Sequence, residues 1–359
     1  MTIASRLAAA YLALLATLPA TSALPEEQLP MNGALQEAFD AGELDGLHNV
    51  LVTLKGETLA EIAFPGADER WGRPLGLREH GADTLHDLRS VTKSVVGLLY
   101  GIALGEGKVP SVDAPLLAQF PDYRDLRGDP LRDGITVGHA LSMTMGTEWS
   151  EDLPYSDPRN SEVAMEMAKD RYRFVLDRPM VAEPGSSWTY NGGATAIVAR
   201  LIAKGTGMSV DAYAKEKLFA PLGIDTFEWI RGADGEPSAA SGLRLNAGDL
   251  ARIGQLVLDG GRHDGRQIVP AEWLSEAFTP RTSLDELRYG YQWWLSAGGT
   301  PPDWVAGFGN GGQRLTVQES IGLVVVVYAG NYNKPDAWKI PVKVIMDFVA
   351  PAVRKRHGR

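Results

Sequence analysis

Ser90-Val91-Thr92-Lys93-Ser94-Val95-Val96-Gly97-Leu98-Leu99-Tyr100 carries a Ser-x-x-Lys at the head of the most apolar helical run in the chain. Three residues of helix bring the serine hydroxyl and the lysine amine onto one face, about a hydrogen bond apart. A serine hydroxyl becomes a useful nucleophile when a base takes its proton, and a lysine buried among apolar neighbours can lose its charge and assist that transfer. The helix amino terminus adds partial positive charge where an oxyanion develops. The bland alternative is a helix-capping serine followed by an exposed lysine.

Outward from this segment, residues 49–54 and 58–64 read as two β-prone runs around Lys55-Gly56-Glu57, an antiparallel hairpin. Helical periodicity covers 90–104, 137–143, 161–176, 194–204, 209–219 and 246–258. Residues 289–295, 313–318 and 322–328 read as strands, the last with a buried run of four valines, and a helix from about 338 to 348 closes the chain. Sheet at both ends with helices between predicts an α+β fold: an antiparallel sheet assembled from both chain ends, flanking helices and an inserted mainly helical region. The site then lies between the two parts. A single domain over 24–350 is expected, with its sheet part about 45–88 and 240–350 and its helical part about 90–235. The loops at 232–241 and 296–309 read as the most irregular stretches.

Two further elements supply chemistry. Glu183-Pro184-Gly185-Ser186-Ser187-Trp188-Thr189-Tyr190-Asn191-Gly192-Gly193 is a turn-rich loop that can point the Tyr190 hydroxyl into a cleft. A phenol titrates near ~10, but a cationic lysine stabilises its phenolate and makes Tyr190 a credible proton acceptor. Gly307-Phe308-Gly309-Asn310-Gly311-Gly312-Gln313 leads into a strand, and its glycines let a ligand approach the backbone. The main-chain N–H of Gln313 is expected to pair with that of Ser90 as an oxyanion hole. A strand rather than a helix follows and no βαβ unit surrounds it, which excludes a dinucleotide site.

The order Ser-x-x-Lys, tyrosine loop and Gly-rich strand start resembles class C serine β-lactamases and their relatives, the D,D-peptidases, family VIII esterases and aminohexanoate-oligomer hydrolases. The resemblance runs from about residue 49 to 332 and includes Ile135-Thr136-Val137-Gly138-His139-Ala140-Leu141-Ser142-Met143-Thr144, Pro221-Leu222-Gly223-Ile224 and Ala240-Ser241-Gly242-Leu243. Leu88-Arg89-Ser90-Val91-Thr92-Lys93-Ser94, Trp149, Tyr155-Ser156-Asp157-Pro158 and Tyr190-Asn191-Gly192-Gly193 are most similar to the esterase and aminohexanoate-hydrolase side. The resemblance implies a β-lactamase/transpeptidase-like fold and an acyl-enzyme on Ser90. It also implies that Lys93 and Tyr190 shuttle the proton, that the Ser90 and Gln313 amides hold the oxyanion, and that water releases the acid.

Two departures matter. The usual Tyr-x-Asn has Gly192 in place of the amide, and the Lys-Thr-Gly or His-x-Gly triplet appears as Asn310-Gly311-Gly312. A missing cation at 310 weakens recognition of a substrate carboxylate, so a small ester or amide is expected rather than a β-lactam or peptidoglycan stem. D,D-peptidase or β-lactamase action is the alternative; a non-catalytic binding module would lack Ser90, Lys93 or Tyr190. Substrate contacts are expected from Asn310, Gly311, Gly312, Tyr155, Asp157 and Asn191, with Trp149, Trp188, Trp293 and Trp294 as either an acyl pocket or core.

The bulk properties bound the rest. With 359 residues, 44% hydrophobic and 22% charged, the chain builds a substantial core. A net charge of -10 and a pI near 5.2 argue against nucleic acid as a partner. Residues 351–359 read as a solvated basic tail. Residues 1–23, with Arg6, an apolar stretch from Leu7 to Pro19 and Thr21-Ser22-Ala23, read as a signal peptide. That predicts an exported protein, periplasmic or secreted, without stable membrane insertion after cleavage; a retained membrane anchor is the weaker reading. No cysteine is present to form a disulfide or thiolate site. His48, His80, His86, His139, His263 and His357 lack ligand spacing, so no metal or cofactor is expected, and His139 reads as structural.

Overall fold

A computed structural model describes residues 29–357; the expected leader at 1–23 lies outside the described residues. Eight strands form one antiparallel sheet in the order Thr282–Leu284, Leu287–Tyr289, Trp294–Ser296, Val305–Gly309, Gln313–Gln318, Leu323–Ala329, Leu47–Leu54, Glu57–Ala63. The two ends of the chain meet inside it, where Val50 lies opposite Val327 and Leu54 opposite Leu323. Strand alternation explains the valine run. Val324 and Val326 turn toward the helical region while Val325 and Val327 face the other side, and both faces are covered.

The outer face carries its own core, in which Met31 and Leu35 of helix Pro30–Asp40 meet Val344, Ile345, Val349 and Val353 from the end of the chain. The tail expected at 351–359 is corrected here: helix Ala350–His357 continues the packing and buries Val353, because the apolar outer face needs a cover. Among the described residues no helix is long and apolar enough to cross a membrane.

On the inner face, helix Val91–Gly105 is buried from Val91 to Ala103. Gly101 admits Trp273 so closely that a Cβ there would stand 1.9 Å from the indole, whose Nε1 donates to the Gly97 carbonyl at 2.9 Å. Elsewhere the observed elements differ from expectation for local reasons. The helix expected over 161–176 is two, Ser161–Glu166 and Arg171–Leu176, because Asn160 and Asp170 each cap a new start. The strand expected over 289–295 is interrupted where Gln292 takes a left-handed φ of 63° and Gly290 passes against the Ala277 carbonyl. The irregular stretch 296–309 contains strand Val305–Gly309, whose small residues carry little β-propensity. The interruption at Gln292 has a use. Its buried side chain accepts from Thr195 Oγ at 2.7 Å and donates to the Leu141 carbonyl at 3.0 Å, while its own carbonyl accepts from Ser94 Oγ at 2.9 Å. Three helices are thereby locked behind the nucleophile.

Candidate active site

Ser90 stands at the start of its helix yet makes no capping hydrogen bond. Its Oγ instead accepts from Lys93 Nζ at 2.9 Å, and the Tyr190 phenol lies beside it, near enough for the serine to favour its phenolate. The alternative of a simple helix cap is therefore overturned, since a capping serine would turn its oxygen back to the helix amides. Arg89, just before it, has a left-handed φ of 49°, a conformation that costs a non-glycine residue energy. It is held by an ion pair to Glu69, a second to Asp87 at 3.3 Å, and the Tyr332 ring at 4.9 Å. Asp87 in turn takes Arg244 Nε at 2.7 Å. Backbone strain at the nucleophile is thus countered by a buried charge network.

Lys93 does not lose its charge as the sequence suggested. Burial pushes the ammonium down, but the Glu162 carboxylate at 3.3 Å, with Tyr190 and Glu151 beyond it, outweighs that, and the net shift is upward. The Ala240 carbonyl accepts a further bond at 3.0 Å. Glu162 reaches the lysine through space that position 192 leaves open: a Cβ on Gly192 would sit 2.3 Å from its Oε2. The amide missing from Tyr-x-Asn is thus replaced, in volume, by a carboxylate from another helix. Sequence reasoning missed Glu162, because no spacing links residues 69 apart.

Glu151 is the second missed carboxylate. Its oxygens accept from Trp149 Nε1 at 2.7 Å, the Gly192 amide at 2.6 Å and the Tyr155 hydroxyl at 2.7 Å. Burial, then the Glu162 charge, push it up to about 7 despite Lys93. Tyr155 therefore belongs to the site's supporting shell, through Glu151. Burial also raises Tyr190, against the opposing pull of Lys93, so the resting phenol keeps its proton. The Lys93 ammonium lies 4.9 Å from the centre of the Tyr190 ring. Beside that ring, Trp188, Tyr289, Trp294 and Phe308 form an aromatic wall, with Tyr190 stacked on Trp294 at 5.9 Å. Trp293 is core against Phe278, and Trp149 packs on Phe174.

Several expected contacts move. Ser296 N–H donates to the Trp304 carbonyl, so by strand alternation Trp304, Ala306 and Phe308 point their peptide groups to one edge, and Gly309 points to the other. Gln313 is paired with Gly309 and its side chain is bonded to Ala329 at 2.6 Å. Its N–H is thus turned into the ladder, and the oxyanion role expected of it is withdrawn. The segment that packs against the residues on either side of Ser90 is Gly307–Gly309: a Cβ on Gly309 would lie 2.4 Å from the Leu88 carbonyl and one on Gly307 3.0 Å from Val91. Gly311 and Gly312, at φ 96° and 101°, shape the following turn rather than a ligand subsite. The Asn310 side chain is engaged with Asn333, donating at 3.0 Å and accepting at 2.9 Å. Asn191 caps helix Gly192–Thr206 through its Oδ1, and Asp157 is bound by its neighbour Arg159. His139 completes a capping box with Thr136, as its structural reading required. The six histidines, however, are not all scattered: His48, His80 and His86 converge with Asp68, far apart in sequence but joined by the fold.

The chain is similar to known proteins. The chain is 27% identical over 267 residues to a 6-aminohexanoate-dimer hydrolase of Paenarthrobacter ureafaciens, covering 68% of this chain and 66% of that protein. It is 28% identical over 183 residues to esterase EstB of Burkholderia gladioli, covering 48% and 44% respectively. The chain thus spans just under two thirds of the first relative and less than half of the second. Among solved structures, a putative 6-aminohexanoate-dimer hydrolase from Bacillus anthracis superposes with a TM-score of 0.72 at 19% identity, over 89% of this chain and 82% of that one. Residues 35–338 match the Beta-lactamase family, and with the two-part fold and the Ser-x-x-Lys at its heart the chain belongs to that family.

Proposed function

We propose that this protein is a serine hydrolase that forms an acyl-enzyme on Ser90 and acts on small esters or amides. The observation that carries the proposal is the Ser90 hydroxyl, released from capping and held between the Lys93 ammonium and the Tyr190 phenol. Ser90 Oγ attacks the substrate carbonyl carbon and the C–O or C–N bond breaks in one relay: Tyr190 passes its own proton to the departing alcohol or amine and takes the serine proton in its place, so the phenol is regenerated. Lys93, kept charged by Glu162, stabilises the phenolate character that develops in between. Water then repeats the sequence and frees the acid.

The second oxyanion donor is assigned to the Asn310 N–H, the first peptide beyond strand Val305–Gly309, whose Gly309 packs against the Leu88 carbonyl and Arg89 just before Ser90. Asn310 places no cation at this point, and the aromatic wall suits an apolar acyl or leaving group; both favour neutral esters and amides over carboxylate-bearing β-lactams. The names of the two curated relatives, a dimer hydrolase and an esterase, point the same way. Export by the leader at 1–23 is proposed with it, and amino-terminal sequencing of the protein recovered from the cell exterior or periplasm tests it. For the chemistry, intact-mass analysis after separate exposure to a p-nitrophenyl ester, a fluorophosphonate and a penicillin is the test. Ester or fluorophosphonate adducts absent from Ser90→Ala are expected; adducts that persist undiminished in that variant would sink the proposal.

A further inference from the structure

His48 in strand Leu47–Leu54, Asp68 in strand Gly66–Arg70, His80 after strand Arg73–Arg78, and His86 in strand His86–Asp87 bring one donor atom each to a single point. These four atoms all lie within 4.8 Å of one another. His48 is 0%, His86 1% and Asp68 6% exposed. His80 stacks on His48 at 4.1 Å and lies tilted against His86 at 4.8 Å, which accounts for their carbon faces. It does not account for their nitrogens. Nδ1 of His48 and both ring nitrogens of His86 are buried without a protein hydrogen bond among the described residues, where such groups are ordinarily paired.

The tautomer of His48 sharpens this. Its Nε2–H donates to the Ala67 carbonyl at 3.1 Å, which leaves the Nδ1 lone pair facing Asp68 Oδ1 at 3.9 Å. A cation held between Nδ1 and the carboxylate relieves that repulsion. The outer contacts fit that role: the Ala67 carbonyl fixes His48, and the Tyr332 hydroxyl donates to Asp68 at 3.2 Å, as carbonyls and hydroxyls do behind metal ligands. Room for the His48 ring comes from two glycines. A Cβ on Gly66 or Gly330 would lie 2.6 or 2.5 Å from it.

We propose that His48, Asp68, His80 and His86 bind one divalent transition-metal ion of borderline softness, zinc being the best match to three imidazoles and one carboxylate. Magnesium and calcium prefer all-oxygen shells. Four protein ligands close a tetrahedral shell, so the ion is structural and takes no part in acyl transfer. It ties strand Leu47–Leu54 of the large sheet to the hairpin at 66–78 and to the segment that runs from His86 into Arg89 and Ser90. The adjoining cleft of about 380 Å³, lined by Asp68, Arg78, Glu79 and Thr84 among others, gives an ion access.

Tag-free full-length protein, stripped with a chelator, is titrated with Zn²⁺ alone, and retained metal is measured by mass spectrometry beside the thermal midpoint. One equivalent per chain and a midpoint that climbs with free Zn²⁺, with no response to Mg²⁺, are expected, because binding only the native state stabilises it. His80→Ala, in a loop, and Asp68→Asn should each weaken retention at least about tenfold, whereas His263→Ala should not. Retention of less than about a tenth of an equivalent by the wild type, with no midpoint shift at saturating zinc, overturns the proposal. So does undiminished retention in His80→Ala and Asp68→Asn. Should a variant fail to fold, the wild-type titration decides alone.

Discussion

Burial works against the Lys93 proton, and of the charges that oppose this the Glu162 carboxylate 3.3 Å away is the largest. Glu162→Gln removes it with little change of shape. The alkaline limb of the kcat/KM profile should then move to lower pH by about one unit or more, since an opposite charge at this range typically shifts a pKa by 1–3. An unmoved limb would separate Glu162 from the charge state of Lys93. Lys93→Ala and Tyr190→Phe should each slow acylation by about two to four orders of magnitude, read from burst kinetics with a p-nitrophenyl ester. Ser90→Ala should leave no adduct at all.

At the scale of elements, the nucleophile helix is positioned by close approaches rather than by capping. Gly101 is the tightest, with Trp273 where a Cβ would go. Gly101→Ala gains helix propensity but forces the indole aside. The net expectation is a loss of about 1–3 kcal/mol, measured by urea denaturation, together with reduced acylation as the helix shifts. A neutral or stabilising result would mean that Trp273 relaxes freely and does not set the position of Ser90. Helix Gly192–Thr206 is a similar case, because bare Gly192 is what lets Glu162 reach Lys93.

For the molecule as a whole, the buried carboxylate Glu151 links stability to pH. Its folded value is raised from 4.5 to about 7, so the folded state holds a proton that the unfolded chain releases earlier. This contribution is complete below about 4.5 and is lost as pH rises to about 7, at most about 3 kcal/mol. The difference in thermal midpoint between wild type and Glu151→Gln should therefore change across that interval and level off above it. A difference independent of pH would show that Glu151 titrates normally. The closing helix gives a second global prediction. Deleting residues 350–359 uncovers the outer core around Val353 and should cost about 2 kcal/mol or more in urea denaturation, whereas a solvated tail would cost nothing.

By itself the sequence determined the architecture and the Ser90–Lys93 pair, because both are local. Alternation and helical periodicity are properties of neighbouring residues, and Ser90 and Lys93 meet through one turn of helix. Tyr190 was legible from its loop. What only the tertiary structure decided is everything carried by residues distant in sequence: the charge on Lys93, set by Glu162 and Glu151; the strand that packs against the residues on either side of Ser90, Val305–Gly309 rather than Gln313; and the meeting of three histidines with Asp68. Burial and field at a point are sums over all elements that pack there, and no spacing along the chain encodes that sum.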